Sequence, residues 1–321
     1  MSQRIVVTGK IPNAGLEVLK SAGFIPDAWG QDAAMSRDEL LKKVHRADIL
    51  ITLLTEKVDA ELLDAAGAQL KAVCNVAVGY NNIDVAACKS KNVIVTNTPG
   101  VLTDATADIA LSLILMVTRR LGEGERVIRS GKSWQWGMHY MLGTGITGRT
   151  LGVIGMGAIG IATARRAKAC GMSIIYFSRS KIDAVVASEL QAKSVSLDEL
   201  LSTSDVVSIH CPSNEATHHL IGESQLAKMK STAFLINTAR GPIVDEQALV
   251  DALRSKKIAG AGLDVFEFEP KVNPGLVDRD DVVLIPHLGS ATTETRDAMA
   301  TLAAKNAIAI ASNLKPLTPV G

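Results

Sequence analysis

Short runs of β-branched and apolar residues recur along the chain, and most are apolar on both faces rather than alternating with polar positions. The first group is RIVVT (4–8), DILITLL (48–54), KAVCNVA (71–77) and VIVTNT (93–98). The second is LGVIG (151–155), SIIYFS (173–178), DVVSIHC (205–211), AFLIN (233–237), GAGLDV (260–265) and VVLIP (282–286). Strands of a parallel sheet covered on both sides read this way. Helical patterns of about 10–15 residues separate them, among them AIGIATARRAKACG and DEQALVDALRSKK. The alternation predicts βαβ units and hence a doubly wound α/β fold.

The pattern divides the chain into two lobes. ADILITLL followed by LKAVCNVA is echoed by SDVVSIHC followed by MKSTAFLIN, with Asp48 and Lys71 answering to Asp205 and Lys230. One sheet is expected within residues 1–99 and a second within 150–287, joined by a helix over 103–130. The longest apolar segment, ATADIALSLILMVT (105–118), contains Asp108. It falls short of the roughly 18 residues of a membrane span, so it reads as a buried helix. A last helical pattern at 292–314 follows the second sheet and is free to fold back on the first lobe.

Composition narrows the class. At 321 residues and 47% hydrophobic, the chain can bury two cores. Thirty-four basic residues against 33 acidic ones leave a net charge of +1, with no footprint for nucleic acid or an anionic membrane. Cys74, Cys88, Cys170 and Cys211 form no C-x-x-C pair, which points to free thiols in a reducing cytoplasm.

VIGMGAIG places Gly155, Gly157 and Gly160 in a G-x-G-x-x-G pattern between a strand and a helix. The first glycine allows a tight turn and the second lets a pyrophosphate approach the backbone. The third lets helix and strand pack closely, and the helix N-terminus stabilises the anion. An acid about 20 residues further on usually holds the adenosine ribose. Here IIYFSRSK has Ser178, Arg179 and Ser180 instead. A guanidinium flanked by hydroxyls suits a 2′-phosphate and a carboxylate repels one, so NADP(H) is expected as the preferred cofactor, with NAD(H) as a lesser one.

Three further strand ends carry reactive side chains. NTARG (237–241) supplies Arg240, LDVFEFEP (263–270) supplies Asp264, Glu267 and Glu269, and PHLGSAT (286–292) supplies His287. Strand ends of one sheet converge on one crevice. An arginine, an acid and a histidine together suit a substrate with a carboxylate and a reducible carbonyl. Metal chemistry is disfavoured because His218-His219 and His210-Cys211 are adjacent pairs without ligand spacing. A P-loop fails because Arg126 stands where its first glycine belongs, and no G-x-S-x-G is present.

The segments VAVGYNNID, GxGxxG, HCP, MKSTAFLINTARGPIVDEQAL, AGAGLDVFEFEP and PHLGSAT, in this order, resemble the D-isomer-specific 2-hydroxyacid dehydrogenase family over nearly the whole chain. LLTEKVDAELLDAAGAQLK, VLTDATADIALSL and SWQWGMHYMLGTGITGRT are most similar to its glyoxylate/hydroxypyruvate reductase branch.

The resemblance implies two Rossmann- or flavodoxin-like domains: a substrate-binding one from residues 1–99 and 290–321, and a dinucleotide-binding one from 100–289. The active site would lie in the cleft between them. It further implies a catalytic trio of Arg240, Glu269 and His287, with the backbone of Val78 and Gly79 holding the substrate carboxylate and Ser290 nearby. The cofactor would follow Gly157, Ala158, Ile159, Arg179, Pro212, Thr238, Asp264 and Gly289. A homodimer is implied, in which Trp136 reaches the partner's site. Asn81 departs from the family, which often has Asp there.

The expected reaction is reduction of a small 2-oxoacid (glyoxylate, hydroxypyruvate or 2-ketogluconate) to the D-2-hydroxyacid. His287 gives the proton and Glu269 favours its charged form. Competing readings are a nucleotide-sensing corepressor of the same fold and a phosphite-type dehydrogenase. Formate oxidation is disfavoured, because an amide is expected there in place of Glu269.

Overall fold

The computed structural model describes residues 3–320. Twelve strands form two all-parallel sheets. The first contains β1 (Ile5–Val7), β2 (Asp27–Ala28), β3 (Ile49–Thr52), β4 (Ala72–Asn75) and β5 (Ile94–Thr96) in the order β2-β1-β3-β4-β5. The second contains β6 (Thr150–Ile154), β7 (Ser173–Phe177), β8 (Lys193–Ser194), β9 (Val206–Ile209), β10 (Phe234–Asn237), β11 (Gly260–Leu263) and β12 (Val282–Leu284). Its order is β12-β11-β10-β9-β6-β7-β8. Each of the ten apolar runs coincides with a strand, β6 beginning one residue ahead of its run. The edge strands β2 and β8, each two residues of a half-buried or exposed sequence, were not expected from the pattern.

The chain forms two compact units. One is Thr103–Gly289; the other combines the chain up to Leu102 with the chain from Ser290 on. In the continuous unit both faces of the sheet are covered. Ile154, Val207, Leu235 and Leu263 belong to one buried cluster, while their strand neighbours Val153, Val206 and Ile236 belong to another. This inside-on-both-sides alternation is why these strands read as unbroken apolar runs. Helix Thr103–Thr118 packs on β10, β11 and β12 through Leu113, Ile114 and Val117.

The helix expected over 103–130 is two helices. It breaks after Thr118, and a second one, Leu121–Arg129, begins behind Arg120, whose φ of 55° is left-handed. A left-handed residue cannot continue the α-helical hydrogen-bond ladder, so the direction changes there. In the discontinuous unit, helix Thr293–Ala311 packs on helix Asn13–Ser21 and on β3 and β4, so the C-terminal segment does return to the first sheet.

The internal echo has a physical counterpart. Asp48 Oδ2 accepts the backbone N–H of Arg4, just before β1, at 2.7 Å; Asp205 Oδ2 accepts that of Thr150, at the start of β6, at 2.9 Å. In each sheet an acid just ahead of one strand (β3 or β9) accepts a backbone N–H at or just before the start of its neighbour (β1 or β6). Both sheets also share one strand sequence about that point, since β7-β6-β9-β10-β11 repeats the order of β2-β1-β3-β4-β5.

Candidate active site

The glycine turn joins β6 to helix Ala158–Ala169. Gly155 has φ +93°, and a Cβ there would lie 2.5 Å from the backbone nitrogen of Cys211. At Gly160 a Cβ would lie 2.3 Å from the Gly155 carbonyl. Around Gly157 nothing lies within 4 Å of the Cβ position. The first and third glycines therefore permit the fold, and the second leaves an open backbone face. Gly157 and Ala158 are exposed and Ile159 is half-buried. This 12-residue helix has no side-chain cap at Gly157, so its first N–H groups stay available for an anion.

Other expected cofactor residues lie at strand ends of the same sheet. Gly155 N–H donates to Phe177 O at 2.8 Å, tying the turn to the end of β7, after which come Ser178 and the exposed Arg179 and Ser180. Arg179 forms no ion pair among the described residues. Pro212, exposed, follows β9, and its carbonyl accepts from the Thr217 hydroxyl at 2.7 Å. Thr238 follows β10, and its buried Oγ1 has no hydrogen-bond partner among the described residues. A buried hydroxyl without a partner is costly unless a ligand supplies one. Together the open glycine face, the uncapped helix and this hydroxyl fit a bound dinucleotide.

Beyond β11, Asp264 is fully buried, and its carboxylate accepts the N–H groups of Leu288 and Gly289, the latter at 2.7 Å. Burial holds this carboxyl above its ordinary range against those two bonds. Asp264 also ties down His287, whose N–H donates to its carbonyl at 2.9 Å. His287 has φ 52°, a left-handed conformation that costs a non-glycine residue about 1–2 kcal/mol.

His287 Nδ1 lies 2.9 Å from Glu269 Oε2, with 27% and 30% of the two side chains exposed. Glu269 Oε1 accepts the N–H of Phe266 at 3.0 Å. Burial works against the Glu269 charge, but the His287 hydrogen bond and charge, the Phe266 N–H and the Arg240 charge outweigh it and hold the carboxyl below the usual range. Arg240 follows β10 on a turn held by Asn237, whose Oδ1 accepts Ala239 N–H and whose Nδ2 donates to Arg240 O. Its own guanidinium donates to Ala239 O at 2.7 Å. Burial lowers the Arg240 pKa, and the Glu269 charge opposes that. Arginine, acid and imidazole thus meet within one unit.

Of the three acids left open by spacing, Asp264 holds backbone and Glu269 holds His287. Glu267 binds a different histidine: its Oε1 is 2.7 Å from His219 Nε2. With the neighbouring His218, stacked on His219 at 4.0 Å, it forms a three-donor cluster whose ligand atoms lie within 4.8 Å of one another. Chain adjacency hid this cluster, because its third member is 48 residues away. The His219–Glu267 contact has the length of an ordinary hydrogen bond. Glu267 and Glu246 also clasp each other, Glu246 Oε1 accepting Glu267 N–H and Glu267 Oε2 accepting Glu246 N–H at 3.3 Å.

In the discontinuous unit, Val78 and Gly79 lie in the bend after β4, both half-buried. Ser290 begins the returning segment, and its carbonyl accepts from Thr292 N–H and Arg296 Nε. Trp136, in the continuous unit, is 73% exposed, within a stretch that also exposes Trp134, Met138 and Leu142.

Parallel α/β units with a strand–glycine-turn–helix and an acid-paired histidine at neighbouring strand ends define a dinucleotide-dependent oxidoreductase. The NAD-binding domain of the D-isomer specific 2-hydroxyacid dehydrogenases matches residues 111–289. The chain belongs to this family. It is 46% identical to a glyoxylate reductase of Thermococcus litoralis, over 98% of this chain and 96% of that one. Among solved structures it is similar to a glyoxylate reductase from Paecilomyes thermophila, at 37% identity and a TM-score of 0.90, covering 99% and 98% of the two chains. It is also similar to an NADPH-dependent glyoxylate/hydroxypyruvate reductase of Sinorhizobium meliloti in complex with NADP and malonate. That match has 33% identity and a TM-score of 0.84 over 100% and 97% of the chains.

Proposed function

We propose that the protein reduces a small 2-oxoacid, glyoxylate or hydroxypyruvate, to its D-2-hydroxyacid with NADPH preferred over NADH. The observation that carries this reading is the His287–Glu269 pair with Arg240 near enough to act on the Glu269 charge. The names of the similar reductases support the substrate class.

Thr103–Gly289 acts as the cofactor unit, with Gly157, Ala158, Ile159, Ser178, Arg179, Ser180, Pro212, Thr238, Asp264 and Gly289 holding the dinucleotide. The bound cofactor supplies a hydride. Because Glu269 occupies Nδ1 of His287, the proton for the carbonyl oxygen is held at Nε2. Glu269, kept ionised by its depressed pKa, orients the ring and stabilises its charged form. Arg240 offers a planar fork to the substrate carboxylate and polarises the carbonyl. For Val78, Gly79 and Ser290 the proposed role is binding of a substrate carboxylate, through backbone N–H groups at Val78 and Gly79.

A second copy of the chain is the expected partner. Residues 121–142 expose Leu121, Ile128, Trp134, Trp136, Met138 and Leu142, an apolar surface of the kind that marks an interface. The free cysteines, of which Cys74 is pushed up to about 12 by burial, fit a reducing cytoplasm. Loss of NADPH absorbance on adding glyoxylate or hydroxypyruvate tests the reading. Cofactor binding without turnover of either acid would replace it with a nucleotide sensor.

A further inference from the structure

The bend after β4 is held by its carbonyls. Ala77 O accepts Thr98 N–H at 2.9 Å, Val78 O accepts Asn97 Nδ2 at 2.8 Å, and Gly79 O accepts Asn75 Nδ2 at 2.9 Å. Among the described residues, neither Val78 N–H nor Gly79 N–H has a hydrogen-bond partner. These facts are linked by the planarity of the peptide bond. In a trans peptide the C=O of one residue and the N–H of the next point in opposite directions across one rigid plane. Fixing Ala77 O therefore aims Val78 N–H, and fixing Val78 O aims Gly79 N–H.

Both asparagines are themselves oriented. Asn75 is fully buried, and its Oδ1 accepts the Thr52 hydroxyl at 3.3 Å, so its amide must turn Nδ2 toward Gly79 O. Asn97 is held through its backbone, with its carbonyl accepting the Thr318 hydroxyl at 2.6 Å and its N–H donating to Thr318 O at 3.3 Å. Thr318 is in turn held by the fully buried Asn306, whose Nδ2 donates to that hydroxyl at 2.8 Å. The polar chain Asn306–Thr318–Asn97 thus ends on the one carbonyl whose direction sets Gly79 N–H.

We propose that Asn97 is a positioning residue for substrate-carboxylate binding: it turns the Val78–Gly79 peptide so that Gly79 N–H faces the anion, and Asn75 does the same for the peptide after it. This rests on the functional reading above. Asn97 touches no substrate. Its effect appears in how strongly a carboxylate is held, and cofactor affinity does not depend on it.

The test compares Asn97→Ala, the isosteric Asn97→Asp and Asn75→Ala by titrating oxalate into the enzyme–NADPH complex. Melting temperatures and the Kd for NADPH are measured alongside. Losing one well-aimed bond to a charged group should weaken oxalate about tenfold or more. The expected result is that loss in both Asn97 variants, with KM for glyoxylate raised, kcat within about twofold and NADPH affinity unchanged, on the same reasoning. Asn75→Ala, which buries a cavity but frees the next peptide, should lower the melting temperature most while weakening oxalate less. If oxalate affinity instead follows melting temperature across the three variants, Asn97 is only structural and the proposal fails. Should wild type bind oxalate without reducing any oxoacid, the functional reading fails, and the Asn97 comparison still stands on binding alone.

Discussion

Nδ1 of His287 sits 2.9 Å from Oε2 of Glu269, and the same carboxylate takes the N–H of Phe266 on its other oxygen. The acid is therefore fixed on one side by backbone and presents its free side to the imidazole. Glu269→Gln keeps the shape and removes the charge. We expect kcat/KM for glyoxylate to fall about 100-fold at neutral pH, the low end of the usual range for acid–base assistance. Its alkaline limb should move to lower pH, with NADPH affinity unchanged. A variant with the wild-type pH profile would exclude the assigned role.

The depressed pKa of Glu269 also fixes a direction on the acid side. A carboxylate favoured in the folded state contributes stability above its unfolded pKa and loses it as pH falls through the folded one. The difference in melting temperature between wild type and Glu269→Gln should thus stay level down to the ordinary glutamate range and shrink only below it. A difference that vanishes nearer neutrality would contradict the pairing.

Arg240→Lys tests anchoring. The charge survives but the planar fork does not, so kcat/KM for the oxoacid should fall about 10- to 150-fold with NADPH binding little altered. Steady-state kinetics beside a cofactor titration separates the two effects.

Cofactor preference rests on Arg179. Its substitution by Ala should weaken NADPH about 10- to 150-fold while leaving NADH nearly unchanged, since only the former carries a 2′-phosphate. Ser178→Asp should add repulsion toward the phosphate and an acceptor for the ribose hydroxyl. Equal losses for both cofactors would reduce Arg179 to a loop residue.

Two glycines should part company. Gly155→Ala meets the Cys211 backbone at a left-handed φ and should lower stability by more than about 2 kcal/mol. Gly157→Ala meets nothing, so its melting temperature should match wild type while its Kd for NADPH rises. Thermal unfolding and a binding titration read the contrast. A Gly157→Ala protein that binds NADPH normally would move the pyrophosphate elsewhere.

How much was legible follows from where the physics is local. Parallel strands covered on both faces have to be apolar throughout, so KAVCNVA or AFLIN announces itself. Asp27–Ala28 and Lys193–Ser194 are edge strands with no such constraint, and their two-residue sequences carry no signal. The break at Arg120 is nearly as quiet, since no Gly or Pro stands at the left-handed residue itself and Gly122 and Gly124 fall inside the helix that follows. The glycine turn was visible because each glycine answers a steric demand. Spacing offered Asp264, Glu267 and Glu269 alike, because which acid meets which histidine is decided by backbone paths that separate His219 from Glu267 by 48 residues. Asn75 and Asn97 went unnoticed for the same reason: an amide that pins a carbonyl leaves no pattern in the chain.

The discontinuity of the first unit bears on the order in which the protein is made. Helix Asn13–Ser21 is made before the continuous unit, whereas its packing partner, Thr293–Ala311, is made after it. The continuous unit between them can complete its sheet and both cores while the first sheet still has one face bare. Contacts between segments so far apart in sequence form slowly, since a long loop must close before they are rewarded. Until Thr293–Ala311 is made, β3 and β4 lack the helix that covers them on that face.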